Sequence, residues 1–468
     1  MATFSIQNFG CRATEADAAA LRRELVAQGF ELANGQASAD LVLLNTCTVT
    51  AAADSQARDA VRKIHRENPA ARIIVTGCYA QRAPEEIAAI DGVTLVVGNS
   101  HQSEIPRLAA RLVSGAGGAE SDQPRLRSTP NMGGEFVSLA QLSGEAMSLA
   151  AGPAKILTGD VSAWTAVQIA AADSLAGPIA DERTRPILKI QDGCNNRCAY
   201  CVIPLVRGRS RSLPPDQVVA QVRQLHASGT REIVLSGINL GSYGRDLAPR
   251  EALAALVRRI LDETAIEQVR FSSIEPQDVT EDFVSLVGGS SRLAPHFHVP
   301  LQSGCDRILR AMHRWYHAEH YAERVALIHR LLPDAAIGAD VIAGFPGETD
   351  TDFRETCEFI ERLPFSYLHV FSFSKRPGTA AETLAAAVPQ REIHERARAL
   401  RALSQRKSEE FRSRQAGRSL RALTLHRQGD DWTEALTGNY LKVRIAGLHP
   451  ANQWYQVTVA TDPAAAAA

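Results

Sequence analysis

The chain has 468 residues, of which 45% are hydrophobic and 22% charged, and its formal net charge is −1. These values are typical of a globular protein with roughly two to four domains, each long enough for a hydrophobic core. They exclude attraction of nucleic acid by overall charge, so any basic surface has to be local.

The eight cysteines are too sparse in a chain of this length for a disulfide scaffold. The first residues lack the basic region and apolar run of a signal peptide, and no run of about 18 apolar residues predicts a membrane span. We therefore expect a cytoplasmic protein with reduced thiols and no membrane partner.

The first hundred residues alternate between strand-like and helix-like patterns, which favours a parallel sheet covered by helices. The predicted elements are strands at 4–9, 41–44 and 72–75 and helices at 15–28, 51–66 and 83–90.

Three isolated cysteines, Cys11, Cys47 and Cys78, each follow one of these predicted strands. The carboxyl ends of parallel strands share one edge of a sheet, so the three thiols are expected to converge there. The alternative is that each is a small buried hydrophobe. That alternative does not explain why all three follow strand ends, so we favour a three-thiolate cluster site.

Residues 114–181 lose this alternation and are rich in Ala, Gly and Ser. We interpret them as a linker or surface insertion, with a functional lid as the alternative.

Strand–helix alternation resumes after this insertion, and six units predict a full or partial (β/α) barrel with its site at the C-terminal strand ends. The predicted strands lie at 187–190, 232–235, 268–271, 296–299, 336–342 and 368–371. The predicted helices lie at 215–228, 250–262, 281–287, 306–312, 318–331, 352–362 and 391–412.

Directly after the first barrel strand, Cys194, Cys198 and Cys201 form a CxxxCxxC triplet. Thiolates select zinc or iron–sulfur clusters. Structural zinc takes four ligands, and no fourth thiol or histidine is near in the sequence. Three thiolates on a four-iron cluster leave one iron open. The triplet, with Tyr200 before its last cysteine, resembles the signature of radical S-adenosylmethionine (SAM) enzymes, in which the open iron binds SAM.

Glycine-rich or polar segments follow the other barrel strands, and we expect them to form a ring around the C-terminal opening of the barrel, where glycines let the backbone approach a ligand closely. Asn239, Glu275, Gln302 and Arg376 offer the donors and acceptors that SAM requires, whereas Cys305 and Cys357 are predicted to be packing residues. The predicted cofactor-binding residues are Tyr200, Gly237, Asn239, Ser273, Glu275, Gln302, Asp340 and Arg376.

The segment 391–421 contains ten Arg or Lys residues against four Asp or Glu residues. A solvated helical face is the ordinary interpretation. The segment leads into predicted strands at 420–426, 440–445 and 454–460, and a β-module beside a basic helix is also compatible with RNA binding.

The whole set of motifs resembles the radical SAM methylthiotransferase family. The matching stretches are Gly10-Cys11, Asn45-Thr-Cys47-Thr-Val-Thr, Gly77-Cys78, Gly193 to Cys201 with Ile203-Pro204 and Arg207-Gly208, His298-Val-Pro-Leu-Gln-Ser-Gly304, Met312-His-Arg314, Asp340 to Thr349 and His369-Val-Phe371. The family usually has asparagine three residues after the first cysteine, where this chain has Thr14.

The resemblance implies an N-terminal methylthiotransferase domain at 1–112, a linker at 113–183, a radical SAM barrel at 184–412 and a TRAM-like RNA-binding module at 413–463. The stretches Cys47-Thr-Val-Thr, Gly193-Cys-Asn-Asn196, Leu240-Gly-Ser-Tyr-Gly244 and Ser374-Lys-Arg-Pro-Gly-Thr379 are most similar to the branch acting on N6-threonylcarbamoyladenosine in tRNA.

The implied cofactors are SAM and two 4Fe–4S clusters, one held by Cys194, Cys198 and Cys201 and one by the three isolated cysteines. The first would cleave SAM to a radical that abstracts hydrogen from C2 of the adenine. The second would carry a sulfur that another SAM methylates before its transfer. The implied partners are the anticodon loop of tRNA and an electron donor such as a flavodoxin or ferredoxin.

Three alternatives remain at this point: the isopentenyladenosine branch, the branch that modifies a ribosomal-protein aspartate, and a non-catalytic iron–sulfur or zinc protein that binds RNA. The first two match the branch-specific stretches less well. A non-catalytic RNA-binding protein would not need polar, SAM-binding loops after every barrel strand, so these loops argue against the third alternative.

Overall fold

The computed structural model of the chain describes residues 1–33, 35–114, 154–163 and 184–462, and the backbone of 466–467. They form two compact units, the first containing 1–10, 20–48 and the described part of 52–161, the second containing 11–19, 49–51 and the described part of 162–468. Most of the predicted linker at 113–183 lies outside the described residues.

The first unit is built on a six-stranded parallel sheet with spatial order β2-β1-β3-β4-β5-β6. Its strands are β1 (Thr3–Asn8), β2 (Glu31–Leu32), β3 (Leu41–Thr46), β4 (Arg72–Gly77), β5 (Val93–Gly98) and β6 (Lys155–Leu157). The helices in this part of the chain are α1 (Arg12–Ala27), α2 (Ala51–Glu67), α3 (Cys78–Arg82), α4 (Pro84–Ala88) and α5 (Ile105–Ser114). Strand β3 is buried along its whole length, as a central parallel strand requires.

The sequence analysis predicted the central strands of this sheet but missed β2, β5, β6, α3 and α5. Strands β2 and β6 have two and three residues, too few for a periodic signal. Strand β5 does have a sequence signal. Its Val-Thr-Leu-Val-Val run is rich in β-branched residues, which favour a strand, so the sequence could have predicted it.

The second unit contains six parallel strands that follow one another in chain order, as predicted for a (β/α) barrel. They lie in two sheets, β10-β9-β7-β8 and β11-β12-β13, and isolated bridges such as Ser273 to His298 join the two sheets. The strands are β7 (Ile187–Asp192), β8 (Arg211–Ser212), β9 (Glu232–Gly237), β10 (Gln268–Phe271), β11 (His296–His298), β12 (Ala336–Ala343) and β13 (Tyr367–Ser372), with the short β8 antiparallel to β7.

Helices follow the barrel strands as predicted, and apolar side chains from both layers form one large core. Helix α12 shows how the sequence sets a boundary, because Thr349 and Asp352 form a reciprocal capping box at its start. The helices are α6 (Ile203–Arg207), α7 (Pro215–Ala227), α8 (Leu253–Glu263), α9 (Glu281–Gly288), α10 (Asp306–Ala311), α11 (Ala318–Leu331), α12 (Asp350–Arg362) and α13 (Gln390–Gln415).

The chain ends in the predicted β-module, whose antiparallel strands have the order β17-β14-β15-β16, with a two-residue strand beside β16. The strands are β14 (Ser419–Gln428), β15 (Trp432–Thr437), β16 (Lys442–Ala446), β17 (Trp454–Thr458) and β18 (Ala466–Ala467). Strand β15 was not predicted, because its Trp-Thr-Glu-Ala-Leu-Thr sequence mixes strand- and helix-favouring residues.

The turn between β15 and β16 packs against the barrel. Tyr440, at φ +68°, stacks on His296 with ring centroids 4.3 Å apart. Buried Arg270 of β10 donates to the carbonyl oxygens of Thr437 and Gly438 over 3.1 and 2.9 Å. The module is therefore attached through a stacked ring and a guanidinium that is itself paired with Glu232.

The described helices include none with both the length and the apolar composition needed to cross a membrane.

Candidate cluster and cofactor site

Two of the three isolated cysteines leave neighbouring strands of the first unit. Cys47 directly follows β3 and Cys78 directly follows β4, and both are buried. The strand ends are adjacent because Thr46 pairs with Gly77 in the parallel register. Asn99, after β5, donates from Nδ2 to the Cys78 sulfur over 3.5 Å. The sheet thus brings two thiols and one amide donor to one edge, as the sequence analysis expected of a ligand-binding edge.

Gly77 allows the close approach of these two strand ends. Its φ is +98°, and an added Cβ would lie 2.3 Å from the carbonyl oxygen and 2.6 Å from the nitrogen of Thr46. Neither backbone atom can move without disturbing the β3–β4 pairing. Glycine is required here both for its conformation and for its lack of a side chain.

Cys11 lies just before α1 and belongs to the second unit. Its carbonyl accepts hydrogen bonds from the Thr14 hydroxyl at 2.7 Å and from the Glu15 N–H at 3.1 Å. Thr14, the position where the family usually has asparagine, therefore supports the backbone of the cysteine. The convergence of Cys11 with Cys47 and Cys78 stays a prediction.

The triplet Cys194, Cys198 and Cys201 occupies the loop between β7 and α6, and all three side chains are partly buried. Backbone hydrogen bonds hold this loop from several directions. Cys194 donates to Gly208 over 3.0 Å, Ala199 donates to Met312 over 2.9 Å, and Ala381 donates to the Ala199 carbonyl over 2.7 Å. The loop is therefore preorganised by segments far apart in the sequence.

Three N–H donors are directed at the sulfurs of the triplet. Arg314 Nη1 lies 3.2 Å from the Cys198 sulfur, and the Asn196 amide lies 3.4 Å from that of Cys194. Asn239 Nδ2 makes a longer contact of 4.0 Å to Cys194. Such donors stabilise thiolates and tune the potential of a cluster bound by them.

The thiols of the triplet also interact electrostatically. Burial, together with the neighbouring Cys198 and Cys194, raises the pKa of Cys201 to about 12. Burial likewise raises the pKa of Cys194. Thiols so perturbed are protonated at neutral pH unless a metal binds them as thiolates. A compact group of three soft ligands with N–H donors around it suits an iron–sulfur cluster.

Glu275, after β10, forms an ion pair with Arg314, which connects this carboxylate to the Cys198 sulfur. Burial raises the pKa of Glu275, although Arg314 opposes this shift. Tyr200 lies beside the cysteines, and burial raises the pKa of its hydroxyl well above the usual value. The sequence analysis did not assign a role to Arg314, although it lies in the Met312-His-Arg314 stretch.

Gly237 and Asn239, after β9, contact Gln191 of β7. The Gln191 amide oxygen accepts from the Asn239 N–H over 2.8 Å and would lie 2.8 Å from a Cβ on Gly237. Gln302, at φ +67°, extends the pairing with β12. Its N–H donates to the Asp340 carbonyl over 2.7 Å, and its own carbonyl accepts from the Ile342 N–H over 2.9 Å. These residues lie at barrel-strand exits, as predicted.

Comparison with known proteins agrees with this geometry. Residues 3–98 match the uncharacterized protein family UPF0004, and residues 188–360 match the radical SAM superfamily. The threonylcarbamoyladenosine tRNA methylthiotransferase MtaB of Aquifex aeolicus (strain VF5) is 34% identical, over 97% of this chain and 99% of the relative. MtaB of Bacillus subtilis (strain 168) is also 34% identical, over 96% and 91%.

The chain belongs to the radical SAM methylthiotransferase family. A further relative, the tRNA-2-methylthio-N(6)-dimethylallyladenosine synthase of Thermobifida fusca (strain YX), is 32% identical over 93% of this chain and 81% of the relative. The solved radical SAM methyltransferase TsrM from Kitasatospora setae aligns with a TM-score of 0.52 at 16% identity, over 81% and 77% of the two chains, which shows a shared fold.

Membership in the radical SAM methylthiotransferase family implies a 4Fe–4S cluster and SAM. Two more predicted SAM contacts of this methylthiotransferase lie on the barrel wall, and each of them is next to His298. Ser273 pairs with His298 in the bridge that joins the two barrel sheets. Asp340 contacts His298 and His369. Arg376 is also buried, and its Nε donates to the Lys375 carbonyl over 2.9 Å.

Some basic side chains in the segment 391–421 of this methylthiotransferase form contacts within the protein instead of facing solvent. In α13, Arg396 pairs with Glu348 at 2.9 Å and Asp350 at 2.7 Å, and buried Lys407 donates to the Glu361 carbonyl. The basic excess in the sequence therefore overstates the charge that α13 presents to solvent.

The β-module of the methylthiotransferase presents two arginine–tryptophan stacks. The guanidinium of Arg421 lies 3.9 Å from the Trp454 ring centroid, and that of Arg444 lies 4.4 Å from the Trp432 ring centroid. Stacked guanidinium and indole groups are suited to contacts with phosphates and bases.

Proposed function

We propose that this protein methylthiolates C2 of N6-threonylcarbamoyladenosine at position 37 of tRNA, beside the anticodon. The observation that supports this most strongly is the near full-length similarity to relatives named for that substrate, together with the cysteine loop and its sulfur donors. The isopentenyladenosine and ribosomal-protein alternatives are not favoured.

The proposed cofactors are SAM and two 4Fe–4S clusters. Cys194, Cys198 and Cys201 would hold one cluster, and Cys11, Cys47 and Cys78 would hold the other. When bound, these groups supply the one-electron chemistry and the sulfur that the protein side chains lack. The proposed SAM contacts are Tyr200, Gly237, Asn239, Ser273, Glu275, Gln302, Asp340 and Arg376.

The side chains of the protein act by positioning and by electrostatics. Arg314 places a positive charge between the Cys198 sulfur and the Glu275 carboxylate, which opposes the effect of burial on the pKa of Glu275 and favours its ionised form. Asn239 is fixed by Gln191 and directs its amide at the Cys194 sulfur. Backbone hydrogen bonds keep the triplet loop in place, so little reorganisation is needed when the cofactors bind.

We propose that the β-module contacts the tRNA backbone while the target adenosine is splayed toward the barrel. Arg421 and Arg444, stacked on tryptophan rings, are the module residues that support this role. The corresponding domains are 1–112, 113–183, 184–412 and 413–463, in the order methylthiotransferase domain, linker, barrel and TRAM-like module. A flavodoxin or ferredoxin is the proposed electron donor.

The experiment that tests this function is an anaerobic reaction of the reconstituted enzyme with tRNA that carries N6-threonylcarbamoyladenosine. Nucleoside mass analysis should detect one hydrogen replaced by a methylthio group. A Cys194/Cys198/Cys201→Ala variant should form neither this product nor 5′-deoxyadenosine. Absence of the product with the wild-type enzyme, under conditions where SAM is cleaved, would reject the proposed substrate.

A further inference from the structure

Three polar side chains meet on neighbouring strands of the barrel. His298 ends β11, Asp340 lies on β12 and His369 lies on β13, directly opposite Asp340 in the register. Oδ1 of Asp340 is 3.0 Å from His298 Nε2 and 3.4 Å from His369 Nδ1. One carboxylate oxygen therefore orients two imidazoles.

The hydrogen bonds of Tyr367 with His296 and His298 indicate which nitrogen of each imidazole carries a proton. The Tyr367 hydroxyl lies 2.8 Å from His296 Nε2 and 3.1 Å from His298 Nδ1. His296 Nδ1 has no hydrogen-bond partner among the described residues. A buried N–H without a partner is rarer than a buried acceptor without one, so we assign the His296 proton to Nε2. His296 then donates to Tyr367, Tyr367 to His298, and His298 from Nε2 to Asp340.

In this order Asp340 is contacted by His298 of the preceding strand and by His369 of the following strand. Burial alone would raise the pKa of Asp340, but the His298 and His369 contacts outweigh it and hold the pKa well below its usual value, so the carboxylate is ionised. His298 is buried, whereas the side chain of His369 is 48% exposed. His369 faces Asp340 with Nδ1, at 3.4 Å, so Nε2 is the ring nitrogen left for a ligand.

The side of β13 that carries His369 is open. Side chains alternate along a strand, so Tyr367, His369 and Phe371 share one face while Leu368 packs into the core from the other. Phe371 is 38% exposed, which is unusual for a phenylalanine on a barrel strand. An exposed aromatic ring two residues from an imidazole held beside a carboxylate suits a planar ligand with an anionic substituent.

We propose that His369, oriented by Asp340, donates from Nε2 to the threonyl carboxylate of the substrate nucleoside, with Phe371 against the planar carbamoyl-adenine. This inference rests on the proposed function and adds the residues that distinguish a threonylcarbamoyl group from an uncharged substituent. An isopentenyl group offers no acceptor for His369. Loss of a hydrogen bond to a charged group then favours the threonylcarbamoyl substrate over the uncharged one.

The test uses His369→Asn, because the asparagine amide can replace Nδ1 toward Asp340 but has no group in the place of Nε2. The enzyme is offered tRNA carrying N6-threonylcarbamoyladenosine and the same tRNA after carbodiimide treatment has ring-closed the threonyl carboxylate to a neutral form. Wild type should favour the charged substrate in kcat/KM by about 10- to 100-fold, the range for a hydrogen bond to a charged group. In H369N this ratio should fall close to one, mainly through KM. His394→Asn, on the exposed surface of α13, is the matched control and should keep the wild-type ratio.

A merely structural role for His369 would lower both rates and leave their ratio unchanged, and that result would overturn the inference. The two imidazoles and the carboxylate are also close enough to bind a metal ion. About one zinc or cobalt per chain that disappears in H369N would overturn the inference in favour of a metal site. If wild type modifies neither tRNA although it cleaves SAM, the proposed function itself fails and this inference fails with it.

Discussion

Arg207 donates from Nη2 to Oδ2 of Asp17 over 2.8 Å, although the two residues are 190 positions apart in the sequence. Lys189 bridges Asp17 and Asp192, the second contact at 2.8 Å, and all of these side chains are buried. Burial alone would raise the pKa of Asp192, but Arg207 and Lys189 outweigh it and lower the pKa. The network ties the start of α1 to β7 and α6, the elements on either side of the cysteine triplet.

Asp17→Asn should destabilise the protein strongly, because it leaves buried positive charges with one carboxylate fewer. We expect the free energy of unfolding to fall by about 3–5 kcal/mol, the usual cost of breaking a buried ion pair. Urea titration of the full chain measures this change. Asp59→Asn, at an exposed pair on α2, is the control and should change the free energy by less than about 1 kcal/mol. Equal effects of the two substitutions would contradict the network's role.

Arg314→Gln should lower the reduction potential of the barrel cluster. The substitution removes a positive charge and a hydrogen bond 3.2 Å from the Cys198 sulfur, so the reduced, more negative cluster loses stabilisation. A shift of roughly 50–100 mV corresponds to the loss of one charge-assisted hydrogen bond. Redox titration followed by electron paramagnetic resonance measures it, with exposed Arg310→Gln on α10 as the control. An unchanged potential in R314Q would show that Arg314 does not act on the cluster.

Gly77→Ala should disrupt the sheet edge that carries Cys47 and Cys78, because its Cβ would collide with the Thr46 backbone. Gly29→Ala is the matched control, since Gly29 also has a positive φ, of +87°, but no atom within 4 Å of the added Cβ. We expect G77A to cost about 1–3 kcal/mol more than G29A, as overpacking does. Denaturant unfolding of both variants gives this difference, and similar costs would argue against the close strand approach.

The Cys11/Cys47/Cys78→Ala variant tests whether three separated cysteines hold a second cluster. Anaerobically reconstituted wild type should contain about eight irons per chain and the variant about four, one cluster being lost with its thiolate ligands. The variant should still convert SAM to 5′-deoxyadenosine, because the barrel triplet is intact. About four irons in wild type would mean a single cluster and would remove the proposed sulfur-inserting site.

The regular parts of the fold could be predicted because they have local signals. The strands at the barrel and the helices between them follow hydrophobic periodicity, and glycine before Cys78 and Cys194 indicates a turn that brings a thiol to a strand end. The parallel topology then follows from the strand–helix alternation.

Contacts between distant segments had no such signal. Nothing local to Asp17 indicates that it pairs with Lys189 and Arg207, and nothing near Tyr440 indicates that its ring stacks on His296. The basic composition of α13 indicated a solvated or RNA-binding face, but composition cannot show that Arg396 is buried against Glu348. Such pairings depend on tertiary structure alone.

The most direct test of the proposed function is a competition between two tRNAs in one anaerobic reaction, one carrying N6-threonylcarbamoyladenosine and the other isopentenyladenosine. Nucleosides are analysed by mass spectrometry, with SAM labelled in its methyl group. We predict labelled methylthio product on the threonylcarbamoyl nucleoside and little or none on the other. Methylthiolation of the isopentenyl nucleoside in preference, or of neither while SAM is consumed, would contradict the proposed function.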